Sequence, residues 1–207
     1  LIIDSNIRDE SGYSSDLGFR GVPFNGLFID ASIFYMNYNN RIGTIMRTGQ
    51  EPLYLPYRFR TNNSKSYTYG IETYIEGQLH RFFSIPSIKS TAFINISILE
   101  ARYFNPENIA IHNKFVEMAS PVILRSGLKF SYNSFSIMGQ YNYTHRHFTD
   151  ATNTEYSSNS VIGIIPSYYV VDISAAFNFS LFRIEAAVMN VLNHRFFTRR
   201  AEGYPGP

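Results

Sequence analysis

Apolar and polar residues alternate strictly over run after run of this chain. Between positions 168 and 179 the odd positions are mostly large and apolar, as at Val171, Ile173 and Phe177, whereas the even positions include Asp172 and Asn178. Successive side chains of a β-strand point to opposite faces, so this pattern predicts a strand with one apolar and one polar face. The run is about as long as the roughly 9–11 residues with which a tilted strand crosses a membrane.

Eight segments share the alternation and are predicted to be strands. They cover residues 13–20, 27–38, 67–79, 88–103, 123–132, 135–146, 168–179 and 182–193. No helical pattern of convincing length occurs, and no apolar stretch reaches the roughly 18 residues of a transmembrane helix. The chain is therefore predicted to be all-β.

The predicted connections alternate between short and long. Short ones follow the first, third, fifth and seventh strands, at 21–26, 80–87, 133–134 and 180; long polar ones follow the others, at 39–66, 104–121, 147–167 and from 194 onward. This sorting is typical of outer-membrane barrels, in which the long loops lie outside the cell. A soluble β-sandwich, the main alternative, has no reason to sort its loops in this way.

A sheet in lipid has to close because its unpaired edges cannot be solvated there. The fold predicted from the pattern is an antiparallel transmembrane β-barrel. About eight strands could close alone, but the long loops favour a piece of a larger barrel. Since the chain starts at Leu1 without Met and stops at Pro207 after an unfinished loop, we expect it to be a fragment.

The composition agrees with a membrane barrel and excludes several other classes of protein. Phe and Tyr make up 16% of the 207 residues, and charged residues make up 16%, below the value of about 25% for soluble domains. There is no Cys, so no disulfide or cysteine nucleophile exists in this segment. A net charge of +2 gives no reason to expect nucleic acid as a partner. No phosphate-binding glycine loop or serine-nucleophile elbow occurs, so neither an enzyme nor a cofactor is predicted.

Arginine is concentrated in two of the predicted long loops. Residues 41–65 hold five basic side chains against Glu51 alone, and the last segment holds Arg195, Arg199 and Arg200 against Glu202. Guanidinium groups bind carboxylates through two parallel hydrogen bonds. The candidate ligand-binding residues are therefore Arg41, Arg47, Arg58, Arg60, Arg199 and Arg200. The competing interpretation is that these arginines bind lipopolysaccharide phosphates or remain solvated.

Other polar residues have simpler explanations. His145 and His147 are predicted to continue the apolar face of Tyr141 and Tyr143 at the membrane boundary, and no third ligand for a metal lies nearby. Seven charged residues fall on polar strand faces and are interpreted as a charge network inside the barrel: Glu72, Glu76, Arg125, Lys129, Asp172, Arg183 and Glu185.

The sequence resembles the TonB-dependent outer-membrane receptors, and in particular their ferric-dicitrate-type branch. The run Asn190-Val191-Leu192-Asn193-His194-Arg195-Phe196-Phe197 is similar to the motif at the penultimate strand of these receptors, and residues 198–207 resemble their last extracellular loop. Further similar segments are 12–13, 16–21, 34–43, 70–72, 148–154 and 165–168.

The resemblance implies a barrel of 22 strands, plugged by an N-terminal globular domain, that imports a ferric chelate with energy supplied through TonB. It implies that residues 1–207 are part of this barrel, without the plug and the final strand. The ligand would be ferric citrate or a related carboxylate siderophore, and the partners would be outer-membrane lipid and, through the plug, TonB. The alternatives are a passive porin-like channel, a soluble β-sandwich that binds a ligand and, remotely, an enzyme embedded in a barrel.

Overall fold

The structure is a computed structural model that describes residues 2–49, 56–83, 88–106, 108–157 and 160–200. Strands dominate it, and one short helix, α1, spans Leu79–Phe82. The strands are β1 (Ile2–Ile3), β2 (Ser11–Phe24), β3 (Leu27–Thr48), β4 (Pro56–Gly77), β5 (Lys89–Phe104), β6 (Val122–Tyr132), β7 (Phe135–Thr144), β8 (His147–Phe148), β9 (Ile164–Ile165), β10 (Tyr168–Phe179) and β11 (Phe182–Val188).

Nine of these strands form one sheet. Eight follow the order β11-β10-β7-β6-β5-β4-β3-β2, and the ninth, β1, pairs in parallel with Phe59 and Arg60 of β4. All other pairs in this sheet are antiparallel, and neighbours in sequence are neighbours in space. Strands β2 and β11 do not pair with each other among the described residues, so the sheet is open. The prediction of an all-β, antiparallel, partial barrel is confirmed.

One end of the sheet carries tight turns. Phe24 pairs with Leu27, Tyr132 with Phe135 and Phe179 with Phe182, so each connection has two residues. Residues with positive φ make these turns possible: Gly26 (89°), Asn133 (49°) and Ser180 (51°). The fourth connection at this end contains α1, which begins after Gln78. The longest connections, 105–121 between β5 and β6 and 145–167 between β7 and β10, lie at the opposite end, as the alternation of loop lengths predicted.

The sheet has an apolar face that no second sheet covers in the described part of the chain. Leu17, Ile33, Ile71 and Ile98 are neighbours across β2 to β5 on this face, and Leu17 and Ile71 are 73% and 50% exposed. Ile173 and Phe177 extend it on β10. A β-sandwich would bury these side chains under another layer. The alternative of a soluble sandwich is therefore not what the structure shows.

Aromatic residues border the apolar face at both ends. The loop-side rim is rich in tyrosine and consists of Tyr13, Tyr35, Tyr67, Tyr69, Tyr141, Tyr143 and Tyr169. The turn-side rim is rich in phenylalanine and consists of Phe24, Phe130, Tyr132, Phe135, Phe177, Phe179 and Phe182. Between the rims, the described strands carry no charged residue on this face. Girdles of this kind flank the lipid-facing band of a membrane barrel, where tyrosine suits the polar boundary.

The loop predicted for residues 39–66 is wrong, because most of it is strand. β3 and β4 are each 22 residues long, about twice the length that crosses a membrane. We call residues 39–48 and 56–66 the arm. Irregular register between Tyr38 and Ile42 and a φ of 53° at Asn40 mark β-bulges where the arm begins. Bulges interrupt the alternation of side chains, so the pattern of period two fades although the pairing continues.

Two smaller predictions are also corrected. The eighth strand ends at Val188 instead of residue 193, because Asn190, with a φ of 50°, turns the chain. β7 ends at Thr144, so His147 does not share its face. His147 is instead 8% exposed in β8, which pairs with β9. His145 does contact Tyr143, whose hydroxyl lies 2.8 Å from His145 Nδ1.

Candidate functional site

The long connections at the loop end fold into a layer with its own core. We call residues 108–121, 145–157, 160–165 and 190–200 the loop layer. Ala101 and Tyr103, at the end of β5, pack with Val116, and all three are at most 5% exposed. Ile111 and Ile165 are 2% and 0% exposed. Burial of this kind is unusual in loops, and it gives the layer a fixed shape.

The salt bridge between Glu100 and Arg102, 2.5 Å long, lies on the apolar face at the level of the loop-side rim, where these residues pair with Tyr69 and Tyr67. Two charges in that position mark the end of the lipid-facing band, so residues further along β5 lie outside the membrane-spanning segment. Tyr103 is such a residue. Burial and a hydrogen bond that its hydroxyl donates to Glu117 raise the pKa of Tyr103, which stays neutral.

Arg41 contacts this buried cluster from the start of the arm. Its guanidinium group lies 5.6 Å from the centre of the Tyr103 ring, and its Nη1 is 3.5 Å from the hydroxyl of Ser66. Ser66 faces Tyr103 across the β4–β5 ladder, on the polar face of the sheet. Arg41 is half-buried, so its guanidinium group lies at the loop end of the polar face and is only partly exposed to solvent.

Three other candidate arginines lie further along the arm. The Arg47 guanidinium group lies 3.9 Å from the centre of the Phe59 ring, so these two side chains share one face of the hairpin. Arg60 follows Phe59 directly on the strand and is exposed on the opposite face. Arg58 pairs with Met46 in the ladder, and its side chain lies outside the described residues.

The segment before β2 braces the arm. Thr61 donates a 2.6 Å hydrogen bond to the Asp4 carboxylate, which lowers the pKa of Asp4, with a smaller contribution from the backbone N–H of Asn6. The Asn62 side chain accepts a hydrogen bond from the backbone N–H of Arg8 and donates one to its carbonyl, at 2.6 and 2.9 Å. It thus pairs with Arg8 as a neighbouring strand would.

The last two candidates lie at the end of the described chain. Arg200 Nε donates a 2.8 Å hydrogen bond to the carbonyl of Ile164, and its guanidinium group lies 5.2 Å from the centre of the Phe197 ring. Arg200 therefore connects two loops. Arg199 is exposed. The structure thus places Arg47, Arg58 and Arg60 on the arm, with Arg47 and Arg60 on its two opposite faces. It places Arg41 at the arm's base and Arg199 and Arg200 in the loop layer.

Asparagine side chains that replace a backbone partner are the main feature that the sequence did not reveal. Asn190 accepts a hydrogen bond from the N–H of His194 and donates one to its carbonyl, both 3.0 Å long. Its own N–H donates to the Asp172 carboxylate, 2.8 Å away. These bonds explain why the run from Asn190 to Phe197 begins with asparagine: it closes a turn at positive φ and anchors it to β10. Asn153 pairs with Phe115 in the same manner.

The polar face carries all seven charged residues that were predicted for it. Ion pairs join Arg183 to Glu185 at 2.5 Å and Arg20 to Asp30 at 2.7 Å. Near the turn end, small side chains such as Ser136 and Ser174 leave a depression of about 280 Å³ between Lys129 and Arg183. Among the described residues, no group of three or more His, Cys, Asp or Glu side chains could hold a metal ion.

An uncovered apolar face, two aromatic rims, a charged opposite face and sorted connections define the wall of a transmembrane β-barrel. The chain belongs to the family described as "TonB dependent receptor-like, beta-barrel", which matches residues 2–191. Its location is the bacterial outer membrane, and its polar face lines the inside of the barrel. None of the helices among the described residues is long and apolar enough to cross a membrane.

Solved structures of transporters share this fold. The ferric citrate transporter FecA in its unliganded form has a TM-score of 0.71 at 15% identity, over 89% of this chain and 27% of that one. The copper transporter OprC has a TM-score of 0.70 at 15% identity, over 98% and 29%. The ferric yersiniabactin uptake receptor FyuA of Yersinia pestis has a TM-score of 0.68 at 15% identity, over 95% and 27%.

The chain therefore spans less than a third of the length of these three proteins. No curated protein matches it.

Proposed function

We propose that the chain is part of a receptor that imports an iron chelate across the outer membrane with energy supplied through TonB. The family supports this role, and so do neighbours that carry ferric citrate and ferric yersiniabactin in their names. Lipid covers the apolar face, and a plug domain outside this chain occupies the inside and contacts TonB. No covalent chemistry is part of the proposal, so the protein is not an enzyme.

The ligand we propose is ferric citrate or a related carboxylate siderophore. The observation that carries this choice is the cationic arm, where neither Arg47 nor Arg60 forms an ion pair with a described carboxylate. The charge of Arg47 makes only the smallest contribution to the lowered pKa of Asp4. Cations at the mouth attract and orient an anionic chelate, and a guanidinium group holds a carboxylate through two hydrogen bonds. We extend the proposed contacts to Arg41, Arg58, Arg199 and Arg200. The Nε of Arg200 already donates a hydrogen bond to the carbonyl of Ile164, so only its two Nη atoms would contact the ligand.

A passive porin-like channel is the second candidate. The charges on the polar face argue against it, because Glu72 and Arg125 form no ion pair with a described residue and are suited to contacts with a domain inside the barrel. An open channel would leave these charges to water. The two functions differ in their need for energy.

The arm arginines are expected to control uptake of ferric citrate. We expect replacement of Arg47, Arg58 and Arg60 together by glutamine in the full-length receptor to weaken ferric citrate binding at least about tenfold, because charge-assisted hydrogen bonds contribute about 1.5–3 kcal/mol each. The measurement is uptake of radioactive iron supplied as ferric citrate, by cells with and without TonB. Arg20→Gln, which removes a cation at the turn end, is the matched control and should leave uptake unchanged.

Each result of this experiment tests a different part of the proposal. Uptake that continues without TonB would establish the passive channel. TonB-dependent growth on another metal chelate, with no uptake of ferric citrate, would support the proposed TonB-dependent receptor but reject ferric citrate as its ligand. Uptake of ferric citrate that is unaffected by the triple substitution would reject the arm as its binding site.

A further inference from the structure

The loop layer is held together by contacts between segments that come from different connections. We propose that it is a preassembled wall, which keeps its internal contacts whether the receptor is empty or occupied. This inference goes beyond the proposed function, since the wall's internal contacts in the empty protein do not depend on which ligand is carried.

The first contact joins the β5–β6 connection to the β7–β10 connection. The Asn153 side chain accepts a hydrogen bond from the N–H of Phe115 at 2.7 Å and donates one to its carbonyl at 2.8 Å. The N–H of Met118 donates a 2.8 Å hydrogen bond to the carbonyl of Phe148. The rings of Phe115 and Phe148 are stacked with their centres 6.3 Å apart. Two connections that are far apart in sequence are thus paired like strands.

Apolar burial reinforces this pairing. Ala151, from the β7–β10 connection, packs against the cluster of Ala101, Tyr103 and Val116. The N–H of Val116 donates a 3.0 Å hydrogen bond to the carbonyl of Ala101, so the returning chain of the β5–β6 connection continues the sheet beyond β6. Separating the two connections would expose this cluster and break the hydrogen bonds at the same time, which makes the opening cooperative.

The segment after β11 is joined to the same body. Arg200 Nε donates to the Ile164 carbonyl at 2.8 Å. Gly163 has a φ of 138°, which favours glycine, and a Cβ atom there would lie 3.2 Å from Arg200 Cζ, so a larger residue would also crowd the guanidinium group. At the other end of the segment, Asn190 is bonded to Asp172 on β10. Three connections therefore share one set of contacts and one anchor on the barrel.

The arm is built differently. It begins at β-bulges around Asn40 and is braced by the segment before β2 through Asp4 and Arg8. Arg47 and Arg60 are exposed on it. Bulges bend a strand and increase its twist, so the arm leaves the regular sheet at this point. The arm is thus a hairpin held at its base, whereas the connections of the loop layer are joined to one another.

Distances between spin labels test this division in the full-length receptor. Ile109 and Tyr156 are 86% and 91% exposed and lie on the two paired connections, and residues 1–207 contain no cysteine, so Ile109→Cys and Tyr156→Cys provide label sites in this part of the receptor. Any cysteine elsewhere in the receptor is first replaced by serine. We expect one narrow distance distribution in the empty receptor, with the same mean after ferric citrate is added. A label pair between the arm and the wall, at Tyr57→Cys and Tyr156→Cys, reports any movement of the arm relative to the wall and leaves the candidate arginines in place.

Asn153→Gly removes the paired side chain while glycine keeps the φ of 56° that Asn153 adopts. We expect it to broaden the distribution between positions 109 and 156 and to speed hydrogen exchange at the Phe115 amide at least about tenfold. The matched control is Asn133→Gly, a positive-φ asparagine in the turn between β6 and β7, which should change neither measurement.

Measurements on the wild-type receptor alone test whether the wall is preassembled. A broad or multiple distribution in the empty receptor, or a change of the mean distance within the wall on addition of ferric citrate, would overturn the proposal. So would rapid exchange of the Phe115 and Met118 amides in the wild type, which tests the pairing even where Asn153→Gly does not assemble. Failure of ferric citrate to bind would reject the proposed ligand and leave the result for the empty receptor to stand.

Discussion

Replacement of Ile96 by arginine is expected to destabilise the barrel by about 2–4 kcal/mol, the range measured for a cation at the midplane of a lipid-facing barrel surface. Ile96 lies on the apolar face between Thr73 and Leu124, about midway between the two rims. Neither neighbour offers a carboxylate, so the guanidinium group would be placed in hydrocarbon. Equilibrium unfolding of the full-length receptor in lipid vesicles measures the change.

The adjacent position provides the matched control. Ser97 lies on the polar face, directly opposite Glu72. We expect Ser97→Arg to be neutral or stabilising, because its cation can pair with the Glu72 carboxylate in a wet interior. Equal destabilisation by Ile96→Arg and Ser97→Arg would mean that the two faces have the same surroundings, contrary to the assignment of one to lipid.

Removal of the Tyr103 ring should open the loop layer while leaving the barrel intact. Tyr103→Ala is expected to cost about 3–5 kcal/mol locally, because the ring is 1% exposed and a cavity remains in its place. The amide of Asn113, which donates to the Tyr103 carbonyl, should then exchange its hydrogen much faster, whereas the amides between the rims should not. Hydrogen exchange followed by mass spectrometry gives both rates in one experiment.

Tyr103→Phe separates packing from polarity. It keeps the ring and removes the hydroxyl that donates to the Glu117 carboxylate, so its effect should be about 1.5–3 kcal/mol, less than that of Tyr103→Ala. The raised pKa of Tyr103 means that its phenol stays neutral until the layer opens, so alkaline pH should favour opening of the wild type but have less effect on Tyr103→Phe. Similar exchange rates in Tyr103→Ala and the wild type would contradict the buried position of this ring.

The regular part of the fold could be predicted from the sequence because one physical rule governs it. Strands β5, β6, β7 and β10 match the predicted segments closely, since each has one face for lipid and one for water. The first strand was predicted at 13–20 and is longer, because β2 continues to Phe24 past a register shift after Gly21. The sorting of connections predicted the two ends of the sheet. The arm was missed because bulges near Asn40 disrupt the alternation and because, outside the membrane, neither face has to be uniformly apolar.

The candidate site was less accessible to prediction. The arginines could be found from composition, but their contacts depend on pairing between distant segments. Arg200 bonds to Ile164 and Arg41 lies against Tyr103, and no local pattern encodes either contact. The asparagine pairs share this property. Asn62, Asn153 and Asn190 each bond to both backbone groups of one residue. Asn153 and Asn190 stood in segments that resemble the receptor family, but nothing in those segments indicated their partners.

The most direct test of the account is the accessibility of spin labels placed one at a time from residue 168 to residue 179 in the full-length receptor in lipid. Labels at Val171, Ile173 and Phe177 should collide with oxygen dissolved in the bilayer, and labels at Asp172 and Ser174 should be far less accessible to it, so that accessibility alternates with a period of two. Low oxygen accessibility at all five positions would mean that protein, and not hydrocarbon, covers the apolar face, and the assignment to a membrane barrel would be wrong.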